Sequence, residues 1–328
     1  MKSTKVLVTG AGGFLGTYIA RDLLALGYSV YSFSRGEYPH LKEMGVIQKH
    51  GDLCDYESVE EAFTGMDAVI HTASRVGMWG KYADFYKTNV TGTENVIKAC
   101  HKLHIKKCVY TSTPSVVFGN KCIKGANEDI EYPENFLSMY AETKAIAEKM
   151  VLLANSGTLS TVAIRPHLIF GPGDLNLVPR VIEASKKGRL KIVGDGNNLV
   201  DVTYVENASM VHVMALEILT PQSPIAGRAY FLGQGPVKLW DFTNQILERS
   251  GLSPVTAKIS FRKAFFVGML IEWVLKISGK YNIDPPMTRF IALQLGKSHY
   301  YDHTRLERDF QFTPKYSIED GLDKLFQK

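Results

Sequence analysis

Cysteine is scarce in this sequence, and its spacing does not match the sites that cysteine usually builds. The 328 residues include four cysteines, and no two of them form a CxxC pair. This excludes a disulfide-stabilised secreted scaffold and the common zinc or dithiol motifs. The nine histidines include no HExxH motif, so we expect no metal ion. The cysteines are predicted to be free thiols in a reducing compartment.

Long hydrophobic runs and a strong charge excess are also missing. No stretch reaches the about 18 uninterrupted apolar residues of a membrane span, and no signal-peptide core precedes the β-rich run at residues 5–8. We therefore expect a cytoplasmic protein. The formal net charge is only +5, from 38 Lys and Arg against 33 Asp and Glu. This balance argues against a nucleic-acid partner and suits a small anionic ligand.

Short β-rich runs alternate with segments of helical period through the first half of the chain. This alternation is typical of βαβ units and predicts an α/β fold with a doubly wound parallel sheet of the Rossmann type. The predicted strands are Lys5–Thr9, Tyr28–Ser34, Val46–Lys49, Ala68–Thr72, Lys107–Ser112 and Thr161–Arg165. The predicted helices are Phe14–Leu26, Tyr56–Phe63, Asp84–Leu103 and Tyr140–Ala154.

The alternation loosens after Pro166 into pieces punctuated by glycine and proline. We therefore predict a dinucleotide-binding domain over residues 1–165. Residues 166–328 are predicted to form a smaller, mainly substrate-binding part, with some segments returning to the first domain. Helices are expected there at Trp240–Ser250, Lys263–Ile277 and Ile318–Phe326.

A glycine-rich segment joins the first strand to the first helix. Such a turn lets the backbone approach a pyrophosphate, and the helix N-terminus offers free N–H groups. Glycine-rich turns also simply close β–α connections, but this one follows a clear strand and opens an amphipathic helix. The predicted phosphate-binding residues are Gly10, Gly13, Phe14, Leu15 and Gly16.

Ser34 and Arg35 follow the second strand, where an acidic residue would bind the ribose hydroxyls of NAD. A hydroxyl and a guanidinium suit a 2′-phosphate instead, because the guanidinium offers charge-assisted donors. We therefore predict NADP(H) as the cofactor. The alternative is that Arg35 is a solvated surface residue and Glu37 binds the ribose.

Tyr140 and Lys144 are spaced i and i+4 on a predicted helix, and so share one face. An adjacent cation favours the phenolate and lowers the pKa of a tyrosine. Such pairs also occur by chance on surface helices. Here the pair follows a strand ending in hydroxyl residues 111–115, at the sheet edge where ligands bind. This indicates proton transfer to a carbonyl oxygen.

Further motifs accompany these residues: Asp52 after the third strand, Asn89 in Asn-Val-Thr-Gly-Thr, and Arg165-Pro166 followed by Phe-Gly-Pro-Gly. Together with the glycine loop and the Tyr140/Lys144 pair, they resemble an extended short-chain dehydrogenase/reductase over essentially the whole chain. Within that superfamily the chain resembles the 3β-hydroxysteroid dehydrogenase branch. Within the branch it is similar to bacterial reductases of long-chain 2-alkyl-3-oxo acids, in segments 79–82, 110–116, 173–180 and 285–290.

The resemblance implies a role for each matching residue. Tyr140 would be the acid–base residue, Lys144 would bind the nicotinamide ribose and lower the pKa of Tyr140, and Thr113 would hydrogen-bond the substrate oxygen. Ser112 is the alternative to Thr113. Asn89 would support the active-site helix, or it only caps a helix or bonds nearby backbone.

Other implied contacts lie around the cofactor and the substrate. Asp52 and Leu53 would flank the adenine, although Asp also commonly starts a helix. Arg75 and His167 are candidates for a substrate carboxylate, and each also has a structural interpretation. The remaining implied cofactor residues are Thr72, Ala73 and Pro166.

The residues together predict an NADP(H)-dependent oxidoreductase that interconverts a ketone and a secondary alcohol. The resemblance implies reduction of a long-chain 2-alkyl-3-oxo acid to the 3-hydroxy acid. The alternatives are a 3β-hydroxysteroid or sterol dehydrogenase, a nucleotide-sugar epimerase, or a non-catalytic NADP-sensing module. A sensor has no use for a poised phenol, which argues against the last.

The segment 262–277 is apolar around most of a helix, with Glu272 and Lys276 able to pair at i, i+4. It is predicted to be a packed core helix or a dimer contact, a wall or lid of an alkyl-chain tunnel formed by Phe266, Leu270 and Trp273, or a surface that meets a membrane or a partner enzyme. We also expect a small lipophilic carboxylic acid as substrate and a homodimer.

Overall fold

The computed structural model describes residues 4–327, which form fourteen β-strands and thirteen α-helices. The predicted domain ranges extend beyond these residues at 1–3 and 328. The strands are β1 (Lys5–Thr9), β2 (Ser29–Ser34), β3 (Ile47–His50), β4 (Ala68–His71), β5 (Lys107–Thr111), β6 (Ile123–Ala126), β7 (Ser160–Pro166), β8 (Ile169–Phe170), β9 (Ile192–Val193), β10 (Leu199–Tyr204), β11 (Arg228–Leu232), β12 (Gln234–Lys238), β13 (Lys258–Ile259) and β14 (His299–Tyr301). The helices are α1 (Phe14–Ala25), α2 (Pro39–Glu43), α3 (Tyr56–Phe63), α4 (Tyr82–Tyr86), α5 (Gly92–Lys102), α6 (Met139–Leu153), α7 (Leu177–Lys186), α8 (Val205–Ile218), α9 (Leu239–Arg249), α10 (Phe261–Ile277), α11 (Arg289–Gly296), α12 (Thr304–Phe310) and α13 (Ile318–Phe326).

Seven strands form a parallel sheet in the order β11-β7-β5-β4-β1-β2-β3. Its central strand β1 reads Lys-Val-Leu-Val-Thr, and all but its first residue are buried, as expected for a strand covered on both faces. The strand order runs outward in both directions from β1 and β4. Ligands of open α/β sheets bind in the crevice at such a switch point. The predicted doubly wound fold is confirmed.

The sheet contains one strand more than the six predicted. The additional strand is β11, which comes from the C-terminal half and pairs in parallel with β7. Its short run Arg-Ala-Tyr-Phe-Leu lies between glycine-containing segments, so the sequence pattern did not distinguish it from the surrounding loops. Helix α8 also comes from this half and packs against α1. Both elements therefore join the seven-stranded sheet and its helices, although they come from residues 166–328.

A second sheet of five strands lies in the C-terminal half, in the order β12-β10-β14-β6, with β8 paired to β10. Strand β6 comes from the first half and pairs in parallel with β14. Chain segments therefore cross between the two parts in both directions.

The segment predicted as one helix, Asp84–Leu103, is interrupted. It consists of α4, a π-helical turn over Lys87–Thr91, and α5. A single widened turn leaves the hydrophobic period almost unchanged, and such turns are frequent at functional sites. Here it carries Asn89 into the interior, where that residue is 1% exposed.

Three further findings concern the cysteines, membrane-spanning helices and metal-binding clusters. All four cysteines are free, as predicted. Within residues 4–327, no helix combines the length and the hydropathy that crossing a bilayer requires. The same residues contain no group of three or more His, Cys, Asp or Glu side chains placed to hold a metal ion.

Candidate active site

A cleft of about 810 Å³ lies along the carboxyl ends of the central strands. Every strand from β1 to β5, and β7, contributes residues at or just after its last position. The segments 166–169, 174–180 and residue Gln294 close the opposite side. Of the predicted residues, the cleft is lined by Gly10, Gly13, Phe14, Leu15, Gly16, Ser34, Arg35, Asp52, Leu53, Thr72, Ala73, Ser112, Thr113, Tyr140, Lys144, Pro166 and His167.

The glycine loop leaves space at the N-terminus of α1. Gly10 has φ +72°, and a Cβ there would lie 2.8 Å from the Ala73 nitrogen. A Cβ on Gly16 would overlap the Gly10 carbonyl oxygen, which keeps helix and strand close. Gly13 begins α1 without a side-chain cap and without an acidic residue in the first turn. The uncapped N–H groups at the start of α1 therefore fit a dinucleotide diphosphate.

A hydrogen-bonded chain beneath the loop holds the ends of β1 and β4. The Thr93 hydroxyl donates to the Asn89 carbonyl (2.6 Å), so it accepts from His71 Nε2 (3.0 Å). His71 Nδ1 then accepts from the Thr9 hydroxyl (2.7 Å), whose oxygen accepts from Ala73 N (3.2 Å). Burial lowers the pKa of His71 to about 3. The ring is therefore neutral, and its single N–H fixes the direction of the chain.

The far end of the cleft carries the residues predicted for the adenosine half of a cofactor. Arg35 is exposed and lines the cleft beside Asp52, whose pKa is lowered by a backbone hydrogen bond from Cys54 and by the Arg35 charge, against the effect of burial. The Ser34 hydroxyl donates to the Gly36 carbonyl (2.9 Å). Glu37 does not line the cleft, and lies 3.7 Å from His50 instead.

Tyr140, Lys144 and Thr113 meet at the middle of the cleft. Helix α6 begins at Ser138, whose hydroxyl accepts from Ala141 N (3.4 Å), and presents Tyr140 and Lys144 one turn apart. Lys144 Nζ donates to the Thr111 carbonyl (2.6 Å) at the end of β5. Thr113 follows that strand and faces Tyr140. This arrangement favours Thr113 over Ser112 as the hydroxyl that assists the phenol.

The pKa values of the pair are governed by burial. Burial raises the pKa of Tyr140 to about 12, although the Thr113 hydroxyl acts in the opposite direction. Burial lowers the pKa of Lys144 to about 7, against the Glu148 carboxylate. In the free chain, burial therefore outweighs the expected lowering of the Tyr140 pKa. At neutral pH the phenol is protonated, which suits a proton donor to a ketone oxygen.

Asn89 does not line the cleft but connects two of the segments that do. Its Oδ1 accepts from Arg75 N (2.7 Å), and its Nδ2 donates to the Arg75 carbonyl (3.1 Å) and to Thr143 Oγ1 (3.0 Å). Thr143 lies between Tyr140 and Lys144 on α6. Asn89 therefore bonds nearby backbone, as one interpretation expects, and also contacts the helix that carries Tyr140 and Lys144, as the other expects.

The two candidates for a substrate carboxylate have other partners. Arg75 does not line the cleft; its guanidinium lies 3.5 Å from Asp84 and over the Phe85 ring. His167 lines the cleft but is 5% exposed, and its Nε2 lies 2.8 Å from His299 Nδ1. Burial and the neighbouring histidine hold its pKa well below the usual range. Neither residue offers a cation to the cleft.

Arg180 is a cleft residue that the sequence analysis named only as part of a motif. It lies on α7, lines the cleft, and pairs with Asp284 at 3.1 Å, with both side chains at least half exposed. Helix α7 starts where Asp174 accepts from the backbone N–H groups of residues 176, 177 and 178. The sequence does contain a signal for this residue: Arg180 lies in the first turn of the helix that follows Gly173-Asp174.

Helix α10 differs from two expectations. Glu272 does not pair with Lys276; it accepts from Arg289 N and Nε, both at 2.6 Å. Phe266, Leu270 and Trp273 are 61%, 50% and 61% exposed and do not line the cleft. The core-helix and tunnel-wall interpretations are therefore wrong for this side of the helix.

Comparison with known proteins shows which family this chain matches. The family model described as the 3-beta hydroxysteroid dehydrogenase/isomerase family matches residues 7–261. The 2-alkyl-3-oxoalkanoate reductase of Stenotrophomonas maltophilia (strain K279a) is 46% identical over 98% of this chain and 98% of that protein. The decarboxylating sterol-4-alpha-carboxylate 3-dehydrogenase of Mus musculus is 33% identical over 99% of this chain and 91% of that protein.

Solved structures with the same fold are less similar in sequence. The UDP-glucose 4-epimerase of Thermus thermophilus, solved in complex with NAD, has a TM-score of 0.74 and 23% identity, covering 98% of each chain. The crystal structure of gox2253 has a TM-score of 0.80 and 23% identity, covering 98% of this chain and 97% of that one. Identities at this level show that the fold is shared.

Proposed function

The chain belongs to the 3-beta hydroxysteroid dehydrogenase/isomerase family of extended short-chain dehydrogenase/reductases, and we propose that it is an NADPH-dependent reductase of long-chain 2-alkyl-3-oxo acids. The observation that carries the proposal is the 46% identity, over 98% of both chains, to a protein named 2-alkyl-3-oxoalkanoate reductase. A second protein of that name, from Shewanella oneidensis, is 44% identical over 99% of this chain. The four free cysteines fit a place in the cytoplasm.

The cleft supports a nicotinamide cofactor at its glycine-loop end. Gly13 and the free N–H groups of α1 would hold the diphosphate, and Arg35 would hold a 2′-phosphate. Arg35 lines the cleft, whereas Glu37, the alternative ribose ligand, does not. When bound, the cofactor supplies the hydride for the substrate carbonyl carbon.

Tyr140, Thr113 and Lys144 would act on the substrate oxygen. The protonated phenol of Tyr140 donates its proton to the ketone oxygen as negative charge develops there, and Thr113 donates a second hydrogen bond. The resulting phenolate is stabilised by Lys144 in its cationic form. Lys144 is itself held by the Thr111 carbonyl, so its charge stays on the α6 face that carries the phenol.

Arg180 is the residue that we propose for the substrate carboxylate. The name 2-alkyl-3-oxoalkanoate reductase places a carboxylate beside the carbon that flanks the ketone, and an anionic group of this kind requires a cation or several donors. Arg180 lines the cleft, and its one ion-pair partner among residues 4–327 is the exposed Asp284. A carboxylate that replaces Asp284 would gain a charge-assisted contact without unpairing a buried charge.

A second candidate substrate is a sterol that carries a 4-carboxylate. It is favoured by the 33% identity, over 99% of this chain, to sterol-4-alpha-carboxylate 3-dehydrogenase. This name also places a carboxylate next to the carbon that is oxidised. Arg180 would serve either substrate, so the cation alone does not separate the two.

Steady-state assays with a substrate panel test the proposal. Because 3-oxo acids lose CO₂ spontaneously, the reverse direction is the cleaner assay, with NADP⁺ and 2-alkyl-3-hydroxy acids, sterol 3-hydroxy-4-carboxylates or UDP-glucose. We expect the highest kcat/KM for the alkyl hydroxy acid, and none with UDP-glucose. Higher kcat/KM for the sterol acid would make the second candidate correct. An epimerase returns the hydride to the sugar and gives no net NADPH, so UDP-glucose is followed by chromatography, and its conversion to UDP-galactose alone would make the chain an epimerase.

A further inference from the structure

Helix α10 carries an apolar surface that nothing else in residues 4–327 covers. Its inner side packs against the segment that leads into α11, where a side chain on Gly268 would overlap the Thr288 backbone. Its outer side presents seven side chains that are 40–67% exposed. We call them the α10 apolar face: Phe266, Val267, Met269, Leu270, Trp273, Val274 and Ile277. Isolated exposed apolar residues are ordinary, but a contiguous set on one helix marks an interaction site.

The exposed charges on α10 itself are all positive. The one acidic residue between positions 258 and 283 is Glu272, which is buried and bound to Arg289. The exposed carboxylates nearby, Asp195 and Asp284, face Lys258 and Arg180 respectively. Cations stand near both ends of the apolar face. They are Lys258, Arg262, Lys263, Lys276 and Lys280. An apolar stripe with a tryptophan, flanked by Lys and Arg, matches the chemistry of an anionic lipid surface.

The end of α10 adjoins the opening of the active-site cleft. Trp79 follows the cleft-lining residues 76–78; its Nε1 donates to the Lys280 carbonyl (3.0 Å) and its ring stacks on Tyr281. Asp284 pairs with the cleft residue Arg180. The segment that follows α10 therefore runs past both sides of the opening. A surface bound by α10 would lie next to the route by which a substrate enters.

We propose that the α10 apolar face binds an anionic membrane surface, with the helix axis in the plane of the interface, and that lipophilic substrate passes between this surface and the cleft. The first part stands on the exposed face and its charges, and the second rests on the proposed function. A second copy of this chain fits less well, because a two-fold contact through α10 would bring the cations that flank one apolar face near those that flank the other. An anionic surface neutralises these cations instead.

Vesicle binding by the full-length chain, without substrate, tests the first part. We expect co-sedimentation with vesicles of phosphatidylglycerol and phosphatidylcholine, weaker binding in higher salt, and weak binding to phosphatidylcholine alone. The pair L270E/W273E should lower partitioning at least tenfold, since it places charge within the apolar face. The pair K263Q/K276Q should lower it about 25-fold on anionic vesicles, at about fivefold for each cation removed.

A matched control uses two exposed leucines away from α10, one just after the end of α1 and one at the end of α6. Leu26 and Leu153 are 57% and 84% exposed, and L26E/L153E should bind vesicles as the wild type does. All variants should reduce a short, water-soluble 3-oxo ester with NADPH at the wild-type rate, which shows that they fold. If the wild type turned over no 3-oxo compound, the proposed function would be wrong. The vesicle experiment would still test membrane binding, because it uses no substrate.

Three results would overturn the membrane proposal. The first is no binding of the wild type to anionic vesicles, and the second is equal binding by L270E/W273E. The third is a wild-type dimer, detected by light scattering, that L270E/W273E dissociates and that binds no vesicles. In that case a second copy of the chain covers α10.

Discussion

Arg35 is the side chain on which the proposed preference for NADP(H) depends. It is exposed and lines the cleft, so its contact with a 2′-phosphate is partly screened by water. We predict that Arg35→Ala lowers NADPH affinity about tenfold, the lower end of the range for charge-assisted contacts, and leaves NADH affinity unchanged. Fluorescence titration with both cofactors measures this. Glu37→Ala is the control: a loss of NADH affinity in that variant, with none of NADPH in Arg35→Ala, would show that Glu37 binds the ribose.

Arg180 is proposed to discriminate acids from neutral ketones. A charge-assisted hydrogen bond contributes about 1.5–3 kcal/mol, and Arg180 is half exposed, so Arg180→Met should raise KM for a 3-oxo acid by about tenfold, the lower end of that range. KM for the methyl ester of the same acid should stay within twofold, because the ester has no charge to lose. Asp284→Asn is the matched variant, and should lower KM for the acid by removing the competing carboxylate. Equal effects of Arg180→Met on acid and ester would contradict a carboxylate contact.

Lys144 gives the free enzyme a pH dependence near neutrality. Burial lowers its pKa to about 7, so the amine is cationic below this pH and neutral above it. Tyr140, with its pKa raised to about 12, stays protonated throughout. We predict that kcat/KM for NADPH falls tenfold per pH unit above about pH 7. In Lys144→Met the profile should be low and flat, and a flat wild-type profile from pH 6 to 9 would contradict the assignment.

Most residues at the cofactor end of the cleft could be predicted from sequence, because local motifs determine them. The glycine loop, Ser34 and Arg35 each follow a strand that is recognisable by itself. Residues recruited from a distance could not be found in this way. Arg180 is brought to the cleft by the fold of the C-terminal half, and the partners of His167 and Arg75 follow from tertiary packing rather than from spacing.

Helix α6 owes its position to a buried ion pair. Arg165, at the end of β7, donates from Nε and Nη2 to the two Glu148 oxygens at 2.9 and 2.7 Å, and both side chains are at most 2% exposed. Glu148 lies one turn beyond Lys144, on the face that also carries Tyr140. Burial would raise the Glu148 pKa, but Arg165 holds it below the usual value. The carboxylate is therefore ionised at neutral pH.

Breaking this pair should be costly. Arg165→Met leaves a buried carboxylate without its counterion, and we predict a loss of about 3–5 kcal/mol in the free energy of unfolding at pH 7. Urea denaturation measures it. The double variant Arg165→Met with Glu148→Gln removes the charge as well and should recover part of the loss. A single-variant loss under about 1 kcal/mol would show that the pair does not hold α6 to β7.

Elements with a strong local pattern were predicted nearly to the residue, as β1 and α3 illustrate. The π-helical turn at Lys87–Thr91 was not, because its hydrophobic period resembles that of the helices beside it. The turn matters for the site, since it carries Asn89 to the Arg75 backbone and to α6. For helix α10 the burial could not be predicted, because an apolar helix has the same sequence pattern whether it is buried or exposed.

The molecule combines a doubly wound seven-stranded sheet with a second, five-stranded sheet, and the two halves of the chain exchange segments between them. Strand β11 and helix α8 come from the C-terminal half and join the seven-stranded sheet and its helices, while β6 passes the other way. Fold class could be predicted because alternating strands and helices leave few arrangements. That some C-terminal segments return to the first domain could also be predicted, but not which ones, since pairing of strands more than 60 residues apart in the chain, such as β7 with β11, leaves no local signal. The cleft lies where the two halves meet.

The most direct test of the account is the NADPH-dependent reduction of a 2-alkyl-3-oxo acid by the wild type and by Tyr140→Phe. Removing a general acid typically lowers the rate by about 10²–10⁴, so we predict a fall in kcat of that size. NADPH affinity, measured by fluorescence titration, should be unchanged because the variant keeps Lys144 and the glycine loop. A Tyr140→Phe enzyme that reduces the acid at near the wild-type rate would contradict the assigned chemistry.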